Sequence, residues 1–316
     1  MASGRIRDIP PHKLRRLMAG PGLRVDYGAA TVQVRCGIAA FGESFQAVYG
    51  AFAEPDAESR FADLHVQLPR GKGLRAVFHA QSRFRIEGKE PFQPFPASHA
   101  LPLFEWGVNW SFAQQANQHI LLHSGVLARN DRAIIMAAPP GSGKSTLSAA
   151  MMLRGFRLLS DEFGVLCPES GDLLPMLKPV ALKNQSVEVI RAFEPDAVIG
   201  TLFTKTRKGD VAHLAPDEAS VDARHRPARP ALVLFPAFEA GAAVSLERLP
   251  SEDAFAHLAF NSFNYHLLGP IGFEAVADVI ESCPAYKLRY SNLDQAIERI
   301  GELLDEAGER RGADTA

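Results

Sequence analysis

Among its 316 residues the chain has only three cysteines, Cys36, Cys167 and Cys283. They lie so far apart that neither a disulfide framework nor a close-spaced metal cluster can be built from them, which points to a reducing, cytoplasmic setting. Neither charge is in excess: 34 Lys and Arg stand against 36 Asp and Glu, for a formal net charge of -2. That balance leaves no basic footprint for sequence-independent nucleic-acid binding. No apolar run reaches the ~20 residues that span a bilayer. The most apolar stretch, residues 231–244, is interrupted by Pro236 and Glu239, so no membrane partner is expected. Nor does the segment from Met1 to Gly20 carry the apolar core of a signal peptide. What remains, 47% hydrophobic and 22% charged residues, is the composition of a globular protein long enough for two domains at about 150 residues each.

Up to residue 102 the chain carries short alternating runs, Thr31 to Arg35, Leu64 to Leu68 and Ser82 to Ile86, separated by Gly and Pro. These predict a smaller β-rich N-terminal domain over residues 1–102. Pro91, Pro94, Pro96 and Pro102 then mark a boundary. From 103 to 305, helical patterns alternate with compact apolar strands, the texture of an α/β domain. A basic, proline-interrupted run, Arg224 to Pro230, reads as a solvated connection. Ser251 opens one late helix, and Leu293, Ile297, Ile300 and Leu304 share a face of the last. Residues 306–316 lack apolar periodicity and read as a flexible tail.

The most specific signal is Ala138-Pro139-Pro140-Gly141-Ser142-Gly143-Lys144-Ser145-Thr146, between the apolar strand Ala133 to Ala137 and a helical run through Leu153. It is a P-loop with Ala138 in place of the usual first glycine. Gly141 and Gly143 let backbone N–H groups curl around phosphate oxygens, and the helix N-terminus adds a favourable dipole. Lys144 supplies a point charge for the β- and γ-phosphates of ATP, and Ser145 a hydroxyl for Mg²⁺. After the helix, the strand Arg157 to Ser160 ends in Asp161-Glu162. If that strand neighbours the loop strand in parallel, the acidic pair arrives beside the loop, where it can hold Mg²⁺ or accept a proton from an attacking hydroxyl.

These motifs resemble the kinase domain of the HPr kinase/phosphorylase family, and most closely its HPr kinase-related relatives. The resemblance covers about residues 103–304. It rests on His123-Ser124-Gly125-Val126, on the loop, and on Arg154-Gly155-Phe156-Arg157-Leu158-Leu159-Ser160-Asp161-Glu162, at spacings that agree with the family. It implies a P-loop domain of the HPr kinase and phosphoenolpyruvate carboxykinase type. It further implies that Lys144 grips the phosphates, Ser145 binds Mg²⁺, Asp161 is the general base, Glu162 assists with the metal and His123 sits close to the transferred phosphate. A homo-oligomer is what it implies for assembly. The chain departs from the family at Phe156, where His is usual, at Glu162, which replaces a second aspartate, and in lacking the later glycine-rich signature. These departures count against HPr as acceptor and against the reverse, phosphorolytic reaction.

The expectation is an ATP-dependent kinase that phosphorylates a hydroxyl, a serine of a partner protein or a small molecule. A nucleotide-hydrolysing switch, a non-catalytic ATP-binding module and a carboxykinase-like enzyme are the rivals. The chain has neither an Asn-Lys-x-Asp guanine motif nor a Leu-Ser-Gly-Gly-Gln run, and the carboxykinase metal ligands are not evident. Thr204 to Asp210 reads as a cationic turn that could close over the γ-phosphate, and equally as an exposed loop. Lys183, before a helix-capping pattern, is a weaker candidate.

Overall fold

A computed structural model describes residues 4–53, 61–69, 71 and 80–314. The fold is mixed α/β, and contacts divide the chain into two units, Met1–Gln115 with Ala181–Asp222, and Ala116–Val180 with Ala223–Ala316.

Alternating burial builds the first sheet. β1 (Leu23–Asp26), β2 (Thr31–Cys36) and β3 (Leu64–Leu68) bury every second side chain, as period-two patterning requires when one face meets a core. Helices α1 (Pro11–Ala19) and α2 (Ala39–Tyr49) pack against β2. The expected strand from Ser82 to Ile86 is split: β4 (Gln81–Ser82) pairs with β6 (Phe95–Pro96), and β5 (Arg85–Ile86) pairs with β3. α3 (Ala100–Gln115) packs on β3. Pro102 falls in its first turn, where a missing N–H costs no hydrogen bond. The contacts therefore draw the first division after Gln115 and not after residue 102, and the unit is α/β in its own right. Its core is aromatic, with Phe45 and Tyr49 stacked at 4.2 Å. Inside it Tyr49 Oη donates to Glu105 Oε1 at 2.6 Å, and burial beside Glu105 pushes the Tyr27 and Tyr49 phenols well above their ordinary range.

The second unit begins with β7 (Ile120–Arg129) and β8 (Arg132–Ala137), an antiparallel hairpin turned by Asn130 and Asp131, both at positive φ. α4 (Lys144–Leu153) follows, capped by Gly155 at φ +89°. Then come β9 (Arg157–Ser160), β10 (Phe163–Leu166) and β11 (Leu173–Leu174). Residues 181–222 belong to the first unit, with β12 (Val180–Lys183), α5 (Gln185–Phe193), the hairpin of β13 (Phe203–Thr206) and β14 (Gly209–Leu214), and α6 (Glu218–Asp222). The remainder completes the second unit: β15 (Arg229–Phe238), β16 (Ser245–Arg248), α7 (Ser251–Phe260), α8 (Tyr265–Ser282), β17 (Ala285–Tyr290) and α9 (Leu293–Asp314). α9 runs past the point where apolar periodicity stops, through most of the segment expected to be a flexible tail; residues 315 and 316 lie outside the described residues.

The large sheet has the order β11-β10-β7-β8-β15-β17-β16, with β9 also beside β7. Leu122, Val126, Ile135 and Val233 share one buried cluster with Leu258 of α7 and Val276 and Val279 of α8. α4 and α9 pack against each other and on the sheet, α4 on β7 and α9 on β15. Arg157 donates to the Arg226 carbonyl at 2.6 Å and to the Pro227 carbonyl at 3.2 Å, so the basic run expected to be a solvated connection is tied down. No helix among the described residues is long and apolar enough to cross a membrane.

Candidate functional site

β8 delivers the loop. Ile134, Ile135, Met136 and Ala137 are 0% exposed, and burying each of the Ile and Met side chains contributes roughly 1.5 to 3 kcal/mol, so the strand end that launches the loop is firmly held. Ala138 is buried without a positive φ, so its methyl brings no backbone strain where a glycine is usual. Next, Ser142 N–H donates to the Pro139 carbonyl at 3.3 Å, with Pro140 second and Gly141, at φ +90°, third in the turn. Those are the residues that a type II turn demands. Gly143, at φ +88°, precedes the helix, and Lys144 is the first residue of α4. The curl therefore sets the start of the helix against the loop, an anion-binding arrangement. The Ser142 hydroxyl of this loop is buried and makes no hydrogen bond. The Lys144 side chain is largely buried, and Ser145 and Thr146 are partly so.

The acidic pair arrives by a route the sequence did not indicate. β9 is not the neighbour of β8: β7 lies between them, antiparallel to both. The two outer strands still run in the same direction and end at the same edge. With strands about 4.8 Å apart, β9 lies about 10 Å from the loop strand. Val126 pairs with Ser160 and His123 with Phe163, so Asp161-Glu162 interrupts a ladder that otherwise continues along β7. Opposite the interruption lies Gly125. A Cβ there would stand 2.5 Å from Ser148 Oγ and 3.8 Å from Lys144 Cγ, so the glycine lets the first turns of α4 close on the sheet. Asp161 is 8% exposed, and His123 Nε2 lies 3.8 Å from Glu162 Oε1. The His123 ring also packs on Phe263 at 5.3 Å. Phe263 is held there by its N–H to the Leu121 carbonyl, and buried Asn264 bonds the Leu121 N–H.

Two residues on the other side of the loop carry no motif and were not anticipated. β15 and β17 run parallel with β8, so their last residues, Phe238 and Tyr290, reach the same sheet edge. Phe238 N–H donates to the Ser142 carbonyl at 3.0 Å, and Tyr290 Oη lies 3.3 Å from the Gly143 carbonyl that accepts its proton. Burial pushes the Tyr290 phenol above its ordinary range, keeping it a donor.

The loop, His123, Asp161 and Glu162 are thus in one unit and at one edge. Lys183 and the turn from Thr204 to Asp210 belong to the other unit, where the Arg207 guanidinium carbon lies 5.1 Å from the Phe95 ring and 6.0 Å from the Trp106 ring. Phe156 precedes β9 at the end opposite Asp161, roughly 15 Å away along the strand, buried beneath the Arg129 guanidinium. For a metal, Ser145, Asp161 and Glu162 offer the hard oxygen donors that suit Mg²⁺. No group of three or more His, Cys, Asp or Glu among the described residues is gathered as a cage, and a Mg²⁺ shared with phosphates does not need one. Neither a scan against models of known protein families nor a search of the curated proteins returns a match for this chain.

Proposed function

We propose that the chain is an ATP-dependent kinase that transfers the γ-phosphoryl group to a hydroxyl, on a serine of a partner protein or on a small molecule. One observation carries the reading: a type II turn and two positive-φ glycines open onto Lys144 at a helix start, with Asp161 at the same sheet edge. The resemblance to the HPr kinase family supports it. A cytoplasmic setting accords with Cys36, Cys167 and Cys283, which are free thiols.

In this reading the loop N–H groups and the Lys144 ammonium bind the phosphates and hold the negative charge of the departing diphosphate. Asp161 accepts the proton of the acceptor hydroxyl as its oxygen attacks the γ-phosphorus. His123, kept near Glu162 and against Phe263, lines the acceptor side. A Mg²⁺ held by Ser145, Asp161 and Glu162 would neutralise charge on the transferred group. The largely buried Lys144 and Asp161 lie where solvent is scarce, which strengthens each electrostatic contact.

The test is ATP consumption by the purified chain with Mg²⁺, with phosphate followed into free serine, HPr-like proteins and host lysate, beside a Lys144→Ala variant. Label in an acceptor that disappears with the variant is the expected result. Phosphate released to water alone would replace the kinase with a hydrolysing switch, and binding without turnover would leave an ATP sensor.

A further inference from the structure

We infer that Phe238 is the platform on which the base of the nucleotide stacks, which makes the adenine subsite of this protein an aromatic shelf at the end of β15. The inference rests on the nucleotide-binding reading of the loop and adds to it the side from which the nucleoside enters.

Three observations carry it. The first is direction: β8, β15 and β17 are parallel, and a ligand of such a sheet sits outside the carboxyl ends of its strands. The acidic residues lie on the β7 and β9 side of the loop strand, and the ends of β15 and β17 on the opposite side. A triphosphate with its reacting end toward Asp161 therefore directs its nucleoside toward Phe238 and Tyr290.

The second is exposure. In this unit, whose strands bury their apolar side chains, Phe238 stays 52% exposed, although it ends a strand whose Leu232, Val233 and Leu234 are 0% exposed. An aromatic ring left open beside a phosphate loop offers a face to any base, because every base has a π face.

The third is fixation. The Phe238 backbone is bonded to the loop itself through the Ser142 carbonyl. Its Cβ stands 3.1 Å from where a side chain on Gly143 would begin. The ring meets that of Tyr290 edge-on, with centroids 5.9 Å apart at 75°, which leaves a face of Phe238 free of that neighbour. Tyr290 is itself nearly inaccessible, at 1%, so it braces the shelf and does not form it. A shelf fixed to the phosphate cradle loses little freedom when a nucleotide binds.

The experiment titrates the full-length chain with Mg-ATP and, separately, with magnesium tripolyphosphate, which has the phosphates and no base. Phe238→Ala should weaken Mg-ATP roughly tenfold while leaving tripolyphosphate within twofold, and Phe238→Trp should restore ATP affinity. A Phe238→Ala variant that binds ATP as the parent does overturns the shelf and leaves the phosphate cradle standing. Equal losses for ATP and tripolyphosphate also overturn it, since the residue would then act only through the loop backbone. A parent chain that binds neither compound defeats the nucleotide reading and the shelf with it.

Discussion

Gly125 is where the sheet and the phosphate helix come closest, and Gly125→Ala tests whether that closeness holds the site. The position lies in regular strand at no positive φ, so the backbone accepts alanine. Through the unfolded state alone the change would stabilise by about 0.4 to 1 kcal/mol. Against that stands the new methyl, 2.5 Å from Ser148 Oγ, closer than any real contact. Ser148 is 0% exposed on a helix packed against the strand, so its hydroxyl has little room to turn. Overpacking of this kind costs about 1 to 3 kcal/mol. The net expectation is a loss of about 1 to 2 kcal/mol and a fall in melting temperature of roughly 3 to 6 °C.

Ser148→Ala supplies the control. Its hydroxyl is buried and makes no hydrogen bond, so removing it should be neutral or slightly stabilising. In the double variant the clash is gone, and stability should return to within about 0.5 kcal/mol of the parent. Nucleotide affinity should follow stability, because the same approach seats Lys144: the added methyl meets Lys144 Cγ only at an ordinary 3.8 Å and moves it through the helix. Thermal and urea unfolding with ATP titration of the four proteins completes the cycle. A Gly125→Ala protein as stable as the parent, or one that Ser148→Ala does not rescue, would refute the reasoning.

Asp161→Asn should lower turnover by a hundredfold or more while changing ATP affinity little, since a base acts in the transition state; loss of affinity alone would make Asp161 a binding residue. Gly143→Ala meets both a φ of +88° and Tyr290 Oη at 2.6 Å, and should cost about 2 kcal/mol or more. Adding Tyr290→Phe should return only the steric part, and full recovery in urea unfolding would remove the backbone argument. Burial holds the His119 imidazole below its ordinary value of 6.5, so folding favours its neutral form. That contribution is present above pH 6.5 and is lost as pH falls through the lowered value. His119→Gln should flatten the fall in urea midpoint below that pH, and an unaltered slope would discount the residue.

The parts of the site that lie close together in sequence were legible there. Strand, turn, glycines, helix start and acidic strand end between Ala133 and Glu162 follow local periodicity and turn chemistry, and they fold in that order. Strand order was not legible, because the nearly continuous burial of β7 does not record that it inserts itself between β8 and β9. Nor could the sequence flag Phe238 and Tyr290: they join the loop from strand ends roughly a hundred residues or more away, and neither sits in a motif. The helix from Ala100 runs through the boundary expected at Pro102, because a first helical turn accepts proline. The turn from Thr204 to Asp210, which reads equally as a phosphate-directed turn and as an exposed loop, has its Arg207 over Phe95 and Trp106 of its own unit.

Three strand ends and a loop divide the work along one sheet edge, and the division has a mechanical consequence. Phe238 reaches the loop through its backbone N–H at the Ser142 carbonyl, so a side-chain change there keeps that bond and alters only the surface offered to a base, whereas Tyr290 reaches the Gly143 carbonyl through its hydroxyl, so a change there touches the phosphate cradle itself. Asp161 and Glu162, by contrast, hang from a strand separated from the loop by β7. A change there can alter chemistry while the cradle keeps its shape. Between the two sides β8 is buried along its length and cannot shift without disturbing the core. Binding and chemistry should therefore separate by side of the loop, with β15 and β17 variants moving affinity, β9 variants moving turnover, and only variants at Gly125 or Lys144, where helix and sheet meet, moving both.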